Sequence, residues 1–155
     1  MEEKKYRPNV AGVVLSSAYP FACEVLIGHR SDMRDAWQFP QGGIDEGEDP
    51  KTALLRELKE EIGTDNVEIL AGFPHWLSYD FPHPSDRFKG YDGQKQRYFL
   101  VRLKNNADID IAREKTPEFD SYKFVNVRDV LNHTNHFKRG IYAQVLKYFK
   151  QEGYI

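Results

Sequence analysis

Glu57, Glu60 and Glu61 stand at positions i, i+3 and i+4 of one run of helix-forming residues. In a helix that spacing puts three carboxylates on one face. Leu54, Leu55, Leu58 and Ile62 form a separate apolar stripe, about a quarter turn or more away at ~100° per residue. Ala53 lies one turn before Glu57 on the acidic side and is too short to obstruct it. The helix thus has one side for a core and one side for something else. A solvated acidic face is the plain reading. Against it, like charges at i and i+4 destabilise a bare helix by roughly 0.2–0.5 kcal/mol per pair. Negative charge in the second half of a helix also opposes the macrodipole. A local cost with no local benefit points to a bound cation. Mg²⁺ suits such a face, because it takes hard oxygens from carboxylates and substrate phosphates.

The helix carrying these residues has legible ends. Asp49 is a good N-cap, Pro50 suits the first helical position, and Gly63 suits the C-terminal cap, so the helix spans about residues 50–62. A Gly/Pro/Asp-rich loop over 40–50 precedes it. Residues 10–15 read as a strand and 23–27 as its partner, with Ser-Ser-Ala-Tyr-Pro as the turn. Residues 67–76, 97–103 and 122–127 read as later strands. Residues 137–151 carry Ile141, Val145, Leu146 and Phe149 at helical spacing. Trp37 and Phe39 read as core. The expected architecture is a mixed sheet with helices packed on its faces. Residues 78–95 show little periodicity and form the candidate substrate-facing loop.

Length and composition limit the possibilities. The chain has 155 residues, one domain's worth, with 40% hydrophobic and 30% charged residues. Net charge is −2, which excludes a broad basic surface for gripping duplex DNA or a long tract. If nucleic acid is a substrate, an end is held. Ten Phe, nine Tyr and two Trp serve either a filled core or platforms for bases. The single cysteine, Cys23, permits no internal disulfide and reads as a small buried side chain in a strand. No signal-like run follows the N-terminus, and no apolar stretch approaches the ~20 residues of a membrane span. The expectation is a cytoplasmic monomer. The five histidines, His29, His75, His83, His133 and His136, show no metal-ligand spacing.

The spacing Gly42, five residues, Glu48, seven residues, Arg56-Glu57-Leu58-x-Glu60-Glu61-x-Gly63 resembles the Nudix box. One position departs: Thr64 stands where the family has a bulky aliphatic residue. That departure is expected to affect only packing after the helix. The resemblance implies the α/β/α Nudix sandwich (α/β, or α+β, with a mixed sheet between helices), filling residues 1–155 as one domain. It implies hydrolysis of a nucleoside diphosphate linkage by metal-activated water, with Mg²⁺, Mn²⁺ or another divalent ion as cofactor. By the family pattern, Glu57, Glu60 and Glu61 bind metal and the Gly42 carbonyl is a further ligand. Arg56 orients a glutamate by charge-assisted hydrogen bonds, and Glu48 supports the loop or the inner shell.

Tyr6-Arg7-Pro8-Asn9-Val10, Trp37 to Gly43, Gly93 to Gln96, Pro117 to Asp120 and Phe137-Lys138-Arg139 look like the bacterial RNA 5′-pyrophosphohydrolases. That branch includes dinucleoside polyphosphate hydrolases. The resemblance implies removal of pyrophosphate from the triphosphorylated 5′ end of mRNA, leaving a monophosphate that triggers decay. It makes Glu118 another metal ligand or the general base. Arg7, Lys95, Arg97, Lys138 and Arg139 are candidates to clamp phosphates, and Phe137 either stacks a base or fills the core. The rival substrate is a dinucleoside polyphosphate such as diadenosine tetraphosphate. A non-catalytic binding module on a degenerate scaffold would be expected to have lost an acidic ligand, and here Glu57, Glu60, Glu61 and Glu118 all remain.

Overall fold

The computed structural model describes residues 3–32, 34, 36–83, 90–134 and 136–155, the side chain of His136 excepted. In chain order the elements are β1 (Tyr6–Leu15), β2 (Glu24–Arg30), β3 (Trp37–Gln38), β4 (Gln41–Gly43), α1 (Pro50–Ile62), β5 (Val67–Gly72), β6 (Leu77–Asp80), β7 (Gly93–Leu103), β8 (Phe119–Asn126), α2 (Val130–His133) and α3 (His136–Gln151). A 3-10 turn, Val127–Asp129, joins β8 to α2. The strands form one mixed sheet. β1 and β7 run parallel at its centre from Tyr6↔Gly93 to Leu15↔Arg102. β4 adds to the other side of β1, β5 and β6 add to the outer side of β7, and β2 carries β3 and β8.

The centre of the sheet is covered on both faces, which explains its unbroken apolar runs. Along β1, Val10 and Val14 pack under Leu54, Leu58 and Ile62 of α1. The alternate residues Ala11, Val13 and Leu15 pack against Tyr142, Val145 and Phe149 of α3. β7 divides the same way, with Phe99, Val101 and Leu103 toward α1 and Tyr98 and Leu100 toward α3. Each fully buried leucine or isoleucine on α1 contributes roughly 1.5–3 kcal/mol. These contacts fix which way the acidic side of α1 must point. Ala53 is also buried in this layer, so the acidic side opens only from Glu57 onward.

The helix α1 has the predicted ends. The Asp49 carboxylate accepts from the Lys51 N–H at 3.0 Å, and Gly63 adopts φ 77° as the C-cap. Thr64 is buried and its Oγ accepts from the Asn66 N–H. Several strands differ from expectation. β1 starts at Tyr6, four residues early, because its polar first half pairs with β7 and lines a cavity rather than a core. The expected strand over 67–76 ends early, at Gly72, and the next strand begins only at Leu77. Pro74 interrupts the run, since proline supplies no ladder donor. The expected loop over 78–95 is strand at both ends, where β6 pairs Leu77–Asp80 with Gly93–Gln96. Residues 84–89 of that loop lie outside the described residues. β8 begins at Phe119, and β4 is a strand inside the expected loop over 40–50. Cys23 is only half-buried and precedes β2 instead of lying within it. Among the described residues, no helix is long and apolar enough to cross a membrane.

Gly28 of β2 lies against Phe119, the residue after Glu118. A Cβ at Gly28 would come within 2.5 Å of the Phe119 ring, and Phe119 is fully buried. Gly28→Ala should therefore cost about 1–3 kcal/mol by overpacking, read from denaturant unfolding. An unchanged midpoint would show that Phe119 is free to move.

Candidate active site

Helix α1 presents its charged side to β4 and the loop after it. Arg56 is the hub of the contacts. Its Nε and Nη2 bind both oxygens of Glu48 at 3.0 and 2.8 Å. The same Nη2 donates to the Gly43 carbonyl at 2.9 Å, and Nη1 donates to Glu57 Oε1 at 2.7 Å. A planar guanidinium is the side chain that can hold a carboxylate bidentately and still serve two further acceptors. Glu48 also accepts from the Asp45 N–H. These bonds, the Arg56 fork first, hold Glu48 down at a pKa of about 2.

The two glycines ahead of the loop are spacers. A Cβ at Gly42 would lie 1.9 Å from the Glu57 carboxyl carbon, and a Cβ at Gly43 would lie 2.3 Å from an Arg7 guanidinium nitrogen. Glu57 therefore rests directly on the β4 backbone, and Arg7 rests on the next residue from the opposite face. Burial pushes the Glu57 carboxyl up to about 7. Glu60 and Glu118 add to that, while Arg56 opposes it.

Glu61 is the most deeply buried of the acids, at 5% exposed. Its Oε2 accepts from the Gln41 N–H at 3.0 Å. Its Oε1 is buried with no donor, and the Glu61 carboxyl meets that of Glu118. Two carboxylates offer each other no proton donor, so the contact is attractive only with a proton or a cation between them. Burial first, then Glu118, drives Glu61 well above the usual carboxylate range. Among the described residues, no three His, Cys, Asp or Glu side chains close on one point as a ready ligand set, Glu57 being turned onto Arg56. The donor set still fits a hard cation. It offers an orphaned carboxylate oxygen at Glu61, facing carboxyls at Glu57 and Glu118, and a glycine that lets a side chain and a main-chain carbonyl approach together.

Two cavities meet here. One, of about 370 Å³, is lined by Glu57, Glu60, Glu61 and Glu118 with Glu114, Lys115 and Thr116. The other, of about 500 Å³, shares Glu118 and is lined by Arg7, Arg30, Gln41, Tyr79, Phe137 and Lys138 among others. The first is acidic and the second cationic and aromatic. Phe137 is partly exposed, with its ring 5.7 Å from that of Tyr79. Lys138 is buried and donates to Gln41 Oε1 at 2.6 Å. Burial, and then Arg30, lowers its pKa to about 7.

The structure thus brings together Glu57, Glu60, Glu61, Glu118, Arg56 and Gly42, and places Arg7, Phe137 and Lys138 beside them. It does not bring Lys95 or Arg139 there. Lys95 lies over Trp76, and Arg139 donates to the Thr134 carbonyl at 3.2 Å. Gln41, Arg30, Tyr79 and Gln94 line the second cavity, although sequence reasoning did not single them out.

The sequence profile of the NUDIX domain matches residues 5–145. The chain belongs to the NUDIX family. Bacterial proteins named RNA pyrophosphohydrolase are similar to this NUDIX chain along its whole length. One from Campylobacter jejuni is 61% identical over 154 residues, covering 99% of this chain and 98% of its own. One from Nitratiruptor is 60% identical, covering 99% of each, and one from Helicobacter pylori is 57% identical, covering 100% of each. The same NUDIX fold is seen in the E. coli dihydroneopterin triphosphate pyrophosphohydrolase, with a TM-score of 0.71 at 22% identity over 94% of this chain and 99% of that one. A C. elegans Ap4A hydrolase superposes with a TM-score of 0.69 at 21% identity, over 94% and 98%.

Gly42→Ala should displace the Glu57 carboxyl and impair activity about as severely as Glu57→Gln, with the fold kept by circular dichroism. Normal turnover in Gly42→Ala would mean that Glu57 need not rest on β4. Glu48 supplies a stability test. Its folded pKa of about 2 lies below the ordinary 4.5, so its pairing stabilises fully above pH 4.5, and that stabilisation fades as pH falls toward 2. The gap in melting temperature between wild type and Glu48→Gln should close across that window. A gap that stays constant would contradict the Arg56–Glu48 pairing.

Proposed function

We propose that this chain is a divalent-cation-dependent RNA 5′-pyrophosphohydrolase. It removes pyrophosphate from the 5′ end of triphosphorylated mRNA, leaves a monophosphate and so opens the message to decay. The observation that carries this reading is the meeting of the two cavities at Glu118. An acidic cavity suited to cations and phosphates opens into one lined by cations and rings, which suits an unstacked base at a strand end. The names of relatives 57–61% identical over the full chain support the same substrate.

The roles follow from placement. Glu57, Glu60, Glu61 and Glu118, with the Gly42 carbonyl, would hold the cations, Mg²⁺ first among them. When bound, such ions neutralise a polyphosphate and lower the pKa of water. Arg56 ties Glu57 and Glu48 to the loop. Phe137 and Tyr79 receive the first base, while Arg7 and Lys138 meet phosphate oxygens. Glu57, Glu61 and Glu118 are the candidates to take the proton of the attacking water, because all three line the acidic cavity in which that water would sit. The whole of residues 1–155 acts as one domain, as a monomer in the cytoplasm.

Glu57→Gln and Glu61→Gln should each lose about 10²–10⁴-fold in turnover, with far-UV circular dichroism unchanged. Near-normal rates in both would place the chemistry elsewhere. The substrate is tested by offering 5′-triphosphorylated RNA and diadenosine tetraphosphate together with Mg²⁺. A higher kcat/KM for RNA supports the proposal. A higher value for the dinucleotide would make the enzyme a dinucleoside polyphosphate hydrolase.

A further inference from the structure

Lys95 and Arg97 fall outside both cavities, yet they are not scattered surface charges. On β7 they alternate with Gln94 and Gln96, so they project from the α1 face of the sheet. Trp76, just before β6, meets them there. It is 41% exposed, with Lys95 Nζ 5.1 Å and Arg97 Cζ 5.6 Å from its ring centre. Among the described residues neither cation has a carboxylate partner within ion-pair distance, and Arg97 Nε is buried without an acceptor. An exposed indole flanked by two cations, neither paired with a carboxylate among the described residues, is the chemistry of a single-stranded nucleic-acid surface. One ring face takes a base, and the cations meet phosphates.

The position of the patch gives it a use. Tyr79 of β6 lines the base cavity on the α3 side. Its neighbour Ser78 is registered with Lys95 on the α1 side. Among the described residues β6 pairs with β7 alone, so at this level β6 is the edge of the sheet. A strand leaving the base cavity beside Tyr79 has one short edge strand to cross before it reaches Trp76. The patch is also close to the acidic site across the sheet. Gly42, Val10 and Arg97 are registered neighbours, two strand spacings or on the order of 10 Å apart.

We propose that Trp76, Lys95 and Arg97 form an accessory site for the RNA tract downstream of the 5′ end. This rests on the reading of the enzyme as one that acts on RNA, and it adds what distinguishes a long RNA from a short substrate. The short end group is held by the two cavities, and the following nucleotides are held by this patch.

The test compares kcat/KM for a triphosphorylated oligoribonucleotide with that for a triphosphorylated dinucleotide. Trp76→Ala should lower the ratio of long to short by about tenfold, as removal of one stacked base would. In parallel, binding of a 5′-hydroxyl oligoribonucleotide is followed by fluorescence anisotropy against salt. Lys95→Gln with Arg97→Gln keeps the side-chain stems on Trp76 and should reduce the slope of log affinity against log salt by about 1.4, or ~0.7 for each phosphate no longer neutralised. An unchanged ratio or an unchanged slope would overturn the accessory site. Equal losses on both substrates would overturn it too, because the patch would then serve the end group. Failure of the wild-type protein to hydrolyse any triphosphorylated RNA would instead remove the functional reading, while the salt slope would still decide the patch.

Discussion

Carboxylates repel one another, and Glu57, Glu61 and Glu118 line one cavity, with Glu61 buried, Glu57 half-buried and Glu118 at the open side. Burying an unpaired ion costs several kcal/mol even after relaxation. A fold that merely needed stability would have no reason to collect three. Only part of the charge is balanced within the protein. Arg56 takes one oxygen of Glu57, and the Gln41 N–H takes one oxygen of Glu61. The remainder is left for protons or for a cation, and the sheet and helices are arranged around that shortfall.

Delivery of these groups depends on β4. This short strand, antiparallel to β1, turns Gly42 toward α1 and Gly43 toward Arg7. Its first residue, Gln41, lines the cationic cavity and bonds to Glu61 of the acidic one. The Gln41 main chain donates to Glu61, and its side-chain carbonyl accepts from Lys138 and Gln96. Gln96 also donates to Asn9 and accepts from Tyr98. The acidic and cationic cavities are thus two sides of one small strand tied into the centre of the sheet. Packing of Leu54, Leu58 and Ile62 on β1 and β7 sets the rotation of α1. The Arg56 fork sets the loop against it.

How much of this was readable in the sequence depended on whether the signal was local. The ends of α1 were legible because Asp49, Pro50 and Gly63 act through their own backbone geometry. Its acidic side was legible because Glu57, Glu60 and Glu61 follow helical period. Glu118 lies far from the box, and only family resemblance linked it to the site. The structure supplies the cause, since β8 brings it beside Glu61. The early starts of β1 and β7 were hidden because Arg7, Asn9, Gln94 and Gln96 are polar residues lining a cavity or bonded beside it, where hydrophobic alternation carries no signal. Lys95 shows the opposite limit. Its motif suggested a phosphate contact, but strand alternation turned it to the face away from Phe137 and Lys138.

The central claim is that the buried acids hold protons which a divalent cation replaces. Isothermal titration calorimetry with Mg²⁺ near pH 7, in two buffers of different ionisation enthalpy, counts protons released on binding. Ligating carboxylates must be deprotonated, and Glu57 sits at about 7 with Glu61 well above the usual carboxylate range. The account predicts a net release of protons that diminishes in Glu61→Gln. Mg²⁺ binding with no proton release, or with the same release in Glu61→Gln, would contradict it.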